Sequence, residues 1–239
     1  MALLEGHNVS KSFGGVLALS QVDFAVESGT IVGLIGPNGA GKTTLFNAVA
    51  GAFKPTSGRI VFDEADITGL PADAVCRLGM ARTFQVTRPF AAMTCLENVM
   101  VAAINRHPQK PRAFIESFAR EKLSFVGLAE MAGSEARQLN VIQKKRLEMA
   151  RALATEPRLL MLDEVLGGLN TQEISQAVDF IRSLRDRLGL TVLWIEHVMG
   201  AIMQAAERVI VLDQGRVLMA GTPSEVVNDP RVIQAYLGD

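Results

Sequence analysis

At 239 residues, 49% of them hydrophobic, the chain is long enough to bury a substantial core as one large domain or two small lobes. Twenty-four basic residues stand against twenty-five acidic ones, a net charge of −1 that argues against a nucleic-acid partner, which draws a basic excess. Cys76 and Cys95 make neither a disulfide framework nor a metal cluster, no apolar run approaches the roughly 20 residues of a membrane span, and no signal peptide opens the chain; a soluble, cytoplasmic protein is expected.

In chain order, residues 3–26 read as two or three short strands about a turn at Phe13-Gly14-Gly15. Thr30–Ile35 is a short apolar run of the kind that forms a buried parallel strand. It leads into Gly36-Pro37-Asn38-Gly39-Ala40-Gly41-Lys42-Thr43-Thr44, which has the phosphate-loop pattern of spaced glycines followed by Lys and Thr. Glycines there let backbone N–H groups converge on phosphate oxygens. Lys42 can place its ammonium on the terminal phosphates, and the Thr43 hydroxyl is sited to ligate Mg²⁺. Lys42–Ala50 has helical composition with Gly51 as its stop, which completes the strand–loop–helix setting the motif requires. The helix N-terminus adds its own partial positive charge toward the phosphates. Nucleotide binding is the prediction.

Pro55–Gly58 is a turn into a strand at Arg59–Phe62, residues 71–79 a short helix and Ala81–Phe84 a further strand. From about 85 to 155 the pattern is helical, broken near His107-Pro108 and at Gly127 and Gly133. Arg158–Leu162 is an apolar strand, 171–188 a long helix and Thr191–Ile195 another apolar strand. From Arg208, strand signals alternate with turns at Gly215 and Gly221-Thr222-Pro223 and end in a short helix. The layout is an α/β core with a helical insertion between two of its strands.

The strand Leu159–Asp163 ends in the carboxylates of Asp163 and Glu164, and strand carboxyl ends in an open α/β sheet face the ligand crevice. Asp163 can hold Mg²⁺ directly or through water, and Glu164 can orient or deprotonate an attacking water. His197 follows Thr191–Ile195 and should emerge on the same sheet edge, and Gln85 could reach it with its amide. Each has a plainer reading beside this one: a solvated turn for Asp163-Glu164 and a structural histidine for His197. His7 and His107 have no assigned role.

The order of Gly36–Thr44, Gln85, a helix opening at 139–148, Asp163-Glu164 and His197 resembles the ATPase subunit of ABC transporters over essentially the whole chain. Phe13-Gly-Gly15, Arg82-Thr-Phe-Gln85, Met93-Thr94 with Glu97-Asn98, Gly168-Leu-Asn170, Ile195-Glu-His197 and Ala235-Tyr-Leu-Gly238 are similar to the subfamily that serves branched-chain amino acid importers. More closely, Arg-Thr-Phe-Gln and Ala-Tyr-Leu-Gly resemble one of the two different ATPase subunits such importers use. The resemblance implies a single domain over 1–239, a P-loop NTPase core with an N-terminal antiparallel β subdomain and a helical insertion near 86–155 that carries the signature segment. It implies that two such domains, as a homodimer or a heterodimer, close head to tail on two ATP molecules. Each ATP then lies between one phosphate loop and the other subunit's signature. It further implies that Phe13 stacks on adenine, Gln85 senses Mg²⁺ and the γ-phosphate, and His197 contacts the γ-phosphate. Residues 86–135 would dock on membrane permease subunits at the cytoplasmic face, and an extracytoplasmic solute-binding protein would take part indirectly. A core aromatic beside a turn is the other reading of Phe13.

The signature itself departs from the family's Leu-Ser-Gly-Gly-Gln: this chain has Leu139-Asn140-Val141-Ile142-Gln143. Lys144–Glu148 and Ala150–Leu153 resume the family's pattern, which holds the register. Asn140 remains a good N-cap with Gln143 three residues on, but the serine hydroxyl is gone and branched side chains replace glycines. Val165 takes the place of a usual proline, and Asn170 that of a commoner Asp. Two functions are therefore expected to compete. One is the hydrolytic subunit of an importer for branched-chain or related amino acids. The other is an ATP-binding regulatory subunit with impaired turnover. A non-transport ABC ATPase acting on nucleic acid or ribosomes is disfavoured, because such chains usually carry a long coiled-coil insertion or a tandem ATPase domain, neither of which is read here, and because the charge is near neutral.

Overall fold

In the computed structural model, which describes residues 1–237, apolar residues alternate with polar ones to draw the first part of the chain into two long strands. These are β1 (Ala2–Phe13) and β2 (Val16–Glu27), closed by a tight turn at Gly14-Gly15 in which Phe13 pairs with Val16. On β2, Val22, Phe24 and Val26 point to the core while Gln21, Asp23 and Ala25 lie exposed, the period of a half-buried strand. Two twelve-residue strands thus replace the expected short pieces; register shifts within the pairing interrupt the alternation that a sequence reading would follow. β4 (Ser57–Phe62) pairs with β1, and β5 (Ala65–Asp66) completes a four-stranded antiparallel sheet.

The chain divides into two compact units, one formed by Met1–Leu78 with the chain from Leu166 onward, the other by Gly79–Val165. The first holds the antiparallel sheet and a second sheet built on β3 (Ile31–Ile35). β8 (Thr191–Ile195) and β9 (Arg208–Asp213) flank β3 in parallel, and β10 (Arg216–Gly221) runs antiparallel to β9. All five residues of β3 and of β8 are buried, as in parallel strands covered on both faces. The register aligns Leu34 with Ile195 and Ile35 with Val211, so the chain leaves the three parallel strands at one edge. The same unit holds α1 (Lys42–Val49), α2 (Ala72–Arg77), α6 (Thr171–Leu188), α7 (Met199–Ala205), α8 (Pro223–Asn228) and α9 (Pro230–Leu237). α6 begins at an Asn170–Glu173 capping box and ends on Gly189 in the left-handed region. Two short helices close the described chain where one was expected, and α7 was not expected at all. Of the closing stretch Ala235–Gly238, Gly238 lies outside the described residues.

The second unit holds β6 (Met80–Arg82) and β7 (Leu159–Asp163) in parallel, with α3 (Cys95–Arg106), α4 (Arg112–Phe125) and α5 (Val141–Leu153). It thus takes two strands along with the helices of the 86–155 segment. Residues 83–94 form no helix, against the expectation of helicity from 85 onward. The cause is Asn98, fully buried on α3, whose Nδ2 donates to the carbonyls of Phe90 at 3.0 Å, Met93 at 3.2 Å and Thr94 at 3.0 Å. Its Oδ1 accepts from the Phe90 N–H at 2.8 Å. Backbone groups a helix would use are thereby satisfied in an open loop. Among the described residues no helix is long and apolar enough to cross a membrane.

Candidate functional site

β3 runs through the phosphate loop into α1, and two glycines there have no substitute. Gly36 sits at φ 150°, and a Cβ on it would lie 2.1 Å from the Leu212 carbonyl oxygen. Gly41 sits at φ 100° before α1, and a Cβ there would lie 2.7 Å from the Ala18 carbonyl oxygen. Lys42 is only 6% exposed; its Nζ donates to the carbonyls of Gly36 at 2.7 Å and Pro37 at 3.0 Å, folding the side chain over its own loop. Pro37 and Thr44 are half-buried, Ala40 is buried, and Asn38, Gly39 and the Thr43 hydroxyl residue are exposed. The α1 N-terminus has no side-chain cap and no acidic residue in its first turn, so its partial positive charge is not offset locally. A nest of this form fits an anionic phosphate chain.

Two supports of this loop were not visible in the motif. The Gly215 N–H donates to the Ala40 carbonyl at 3.0 Å, and Gly215 in turn accepts from the Ser20 N–H at 2.8 Å, which ties the loop to β2. A hydrogen bond also links the Tyr236 hydroxyl, on α9, to the Gly36 backbone; burial pushes that hydroxyl above its ordinary pKa and the bond pulls it back. His197 leaves β8 at the same edge as Gly36 leaves β3 and is exposed. Phe13 is 48% exposed, so the core reading of this residue does not hold. Its ring meets Phe53 edge to face at 5.3 Å, with the Lys11 ammonium 5.0 Å and 4.7 Å from the two centroids.

The second unit carries the carboxylates. β6 and β7 run side by side with Arg82 opposite Met161, and beyond the strands the Thr83 N–H donates to the Met161 carbonyl at 2.9 Å. Gln85 and Glu164, the residues after these strands, are brought together: the Gln85 amide donates to the Glu164 carboxylate. Glu164 has φ 49°, a left-handed backbone it shares with Glu64 and Glu156. Asp163 is not the open ligand the sequence suggests, because Arg82 Nη2 donates to its Oδ2 at 2.6 Å with both side chains largely buried. The missed residue is Glu148 on α5, 7% exposed, whose Oε1 accepts from the Phe84 N–H at 2.9 Å just before Gln85. Burial pushes its carboxyl up to about 7, against the downward pull of that N–H and of the Arg151 and Lys145 charges.

Asn140 caps α5 as expected. Its Oδ1 accepts from the Gln143 N–H at 2.9 Å, and the Asn140 N–H donates to Gln143 Oε1 at 3.0 Å. Val141 stands exposed at the head of the helix, and Ile142 is half-buried.

A strand, a glycine-bound phosphate loop and a helix in this order define a P-loop nucleotide-binding protein. Residues 19–167 match the ABC transporter family, and residues 216–239 match the branched-chain amino acid ATP-binding cassette transporter family. The chain belongs to the ABC transporter family. It is 41% identical over 250 residues to the high-affinity branched-chain amino acid transport ATP-binding protein LivG of Salmonella typhimurium, covering 99% of this chain and 98% of the relative. It is likewise 41% identical over 251 residues to BraF of Pseudomonas aeruginosa, which carries the same description, with the same coverage. The fold is similar to that of MJ1267, an ATP-binding cassette of an ABC transporter, with a TM-score of 0.90 at 30% identity over the full length of both chains.

Proposed function

We propose that this chain is the ATP-hydrolysing subunit of an importer for branched-chain or related amino acids. The observation that carries the reading is end-to-end relatedness to branched-chain amino acid transport ATP-binding proteins, joined to a phosphate loop whose glycines and lysine are built as nucleotide binding requires. Gly36–Thr44 binds the phosphates of ATP, with Lys42 on the terminal ones, and Phe13 stacks on adenine. Glu164 orients and deprotonates the attacking water, Gln85 senses the γ-phosphate, and His197 contacts it. Thr43, Asp163 and Gln85 would hold Mg²⁺, whose part is to neutralise charge on the β- and γ-phosphates. An exposed hydroxyl and a carboxylate suit a cation that takes only one or two protein oxygens and keeps its waters. Asp163 keeps one oxygen for Arg82, which favours a contact through water.

Asn140–Gln143 meets the ATP held by a second ATPase subunit, the same chain or a different one. The two work on permease subunits at the cytoplasmic face of the membrane, fed by an extracytoplasmic solute-binding protein, and no nucleic acid takes part. The helical part of 86–135 makes the permease contact. The competing reading, a regulatory subunit with impaired turnover, has no support among the relatives and is set aside. The test is ATP turnover by the chain reconstituted in proteoliposomes with the permease subunits and the solute-binding protein it serves. Leucine, isoleucine or valine should stimulate turnover; ATP binding with no turnover under any of these conditions overturns the reading.

A further inference from the structure

Glu196, the residue just after β8, is 3% exposed and has been given no role above. A buried carboxylate is costly unless donors surround it, and here both oxygens are engaged by backbone. Oε1 accepts from the Leu166 N–H at 2.7 Å, and Oε2 accepts from the N–H of His197, its own neighbour, at 3.0 Å. Leu166 is 1% exposed and opens the stretch that ends at Asn170, the cap of α6. It also follows Glu164 by two positions in the chain. One side chain therefore ties the backbone that carries His197 to the Leu166 backbone, distant in sequence.

We propose that Glu196 is a positioning residue for ATP hydrolysis, clamping the His197 and Leu166 N–H groups with its two carboxylate oxygens so that the imidazole is held in place for the γ-phosphate. This rests on the reading of His197 as a γ-phosphate contact. Glutamine is not a silent replacement. Its oxygen can accept one N–H, but its NH₂ group would then face the other donor, and one of the two backbones must move. Neither backbone touches the phosphate loop through this carboxylate, so ATP affinity has no reason to change.

The test measures kcat and KM for ATP in E196Q, H197A and the double variant, within the reconstituted transporter. Glu196→Gln should lower kcat roughly tenfold, the loss of one charge-assisted hydrogen bond, with KM within about twofold of wild type. In the H197A background the same change should do nothing more, because there is no imidazole left to position. Factors that multiply in the double variant, or wild-type kcat in E196Q, overturn the proposal while leaving His197 in its role. Wild-type kcat in H197A overturns the reading of His197 and the proposal with it. Should E196Q fail to fold, Glu196→Asp, which keeps the charge but shortens the reach, replaces it: it should lose less than tenfold, and again nothing in the H197A background.

Discussion

Lys42 is the residue on which the proposed nucleotide binding turns. It is nearly fully buried, and two carbonyls of its own loop hold its ammonium. Lys42→Ala removes the charge and leaves those carbonyls short of a donor. ATP affinity should fall by about 2–3 kcal/mol, roughly 30- to 150-fold, in a titration with Mg²⁺ present. An unchanged affinity would remove the phosphate-loop assignment. Glu164→Gln acts at a different stage: the amide cannot accept the water's proton, so affinity should stay while turnover falls at least about a hundredfold. Glu148 sets a pH dependence of stability. Its carboxyl is raised from an ordinary 4.5 to about 7, chiefly by burial, so the fold favours the protonated form. The corresponding stability is fully present below pH 4.5 and is lost as pH rises through about 7. Glu148→Gln keeps an acceptor for the Phe84 N–H and carries no charge. Its stability relative to wild type, from urea unfolding, should therefore rise with pH between those limits, by roughly 3 kcal/mol in all. A difference that does not vary with pH would show that the carboxyl titrates normally.

At the scale of elements, α3, α5, α6 and α8 begin where side chains cap them, and the cap of α5 is the one the proposed function uses. The reciprocal bonds of Asn140 and Gln143 satisfy backbone donors that would otherwise be orphaned at the head of the signature helix. Asn140→Ala should cost about 1 kcal/mol in urea unfolding, and Asn140→Ser, which keeps an acceptor, only a few tenths. Equal losses in the two would mean that the cap is not what starts the helix. The same physics explains what could be read from sequence. α6 and β8 lie where their residues place them, because Asn170, Glu173 and Gly189 are local signals and Thr191–Ile195 is a continuous apolar run. Thr222 with Glu225 is also a capping box, and it starts α8 where a turn alone was expected. α7 has no such signal: Val198 offers no cap, and Gly200 lies inside the helix. The phosphate-loop pattern is legible for the same reason as α6, since its glycines, Lys42 and Thr43 lie within nine consecutive residues, whereas the support from Gly215 comes from the far end of the chain. Glu148 and Glu196 were not, because each acts on a backbone that only strand and helix packing brings within reach, Phe84 in one case and Leu166 in the other.

At the scale of the whole molecule, binding energy should appear as stability. A ligand that binds only the folded chain stabilises it by about 2.7 kcal/mol at a hundred times its Kd. For a chain of this length, each kcal/mol moves the Tm by about 2–4 °C, so ATP with Mg²⁺ at that concentration should raise the Tm by about 5–10 °C. Glu164→Gln should show the same rise at monomeric concentrations, since the phosphate loop is intact. Lys42→Ala should show almost none. Assembly separates the two variants a second time. Each ATP in the proposed dimer is held by Gly36–Thr44 of one chain and by Asn140–Gln143 of its neighbour, and hydrolysis breaks that link. Glu164→Gln with ATP should therefore run at twice the monomer mass in size exclusion with light scattering, while wild type returns to monomer as ATP is consumed. Lys42→Ala should stay monomeric throughout. If Glu164→Gln alone stays monomeric, a second, different ATPase subunit of the importer should restore the dimer when added, which would make the pair a heterodimer. A Glu164→Gln chain that remains monomeric with ATP and that subunit both present would rule out closure of two chains on shared ATP.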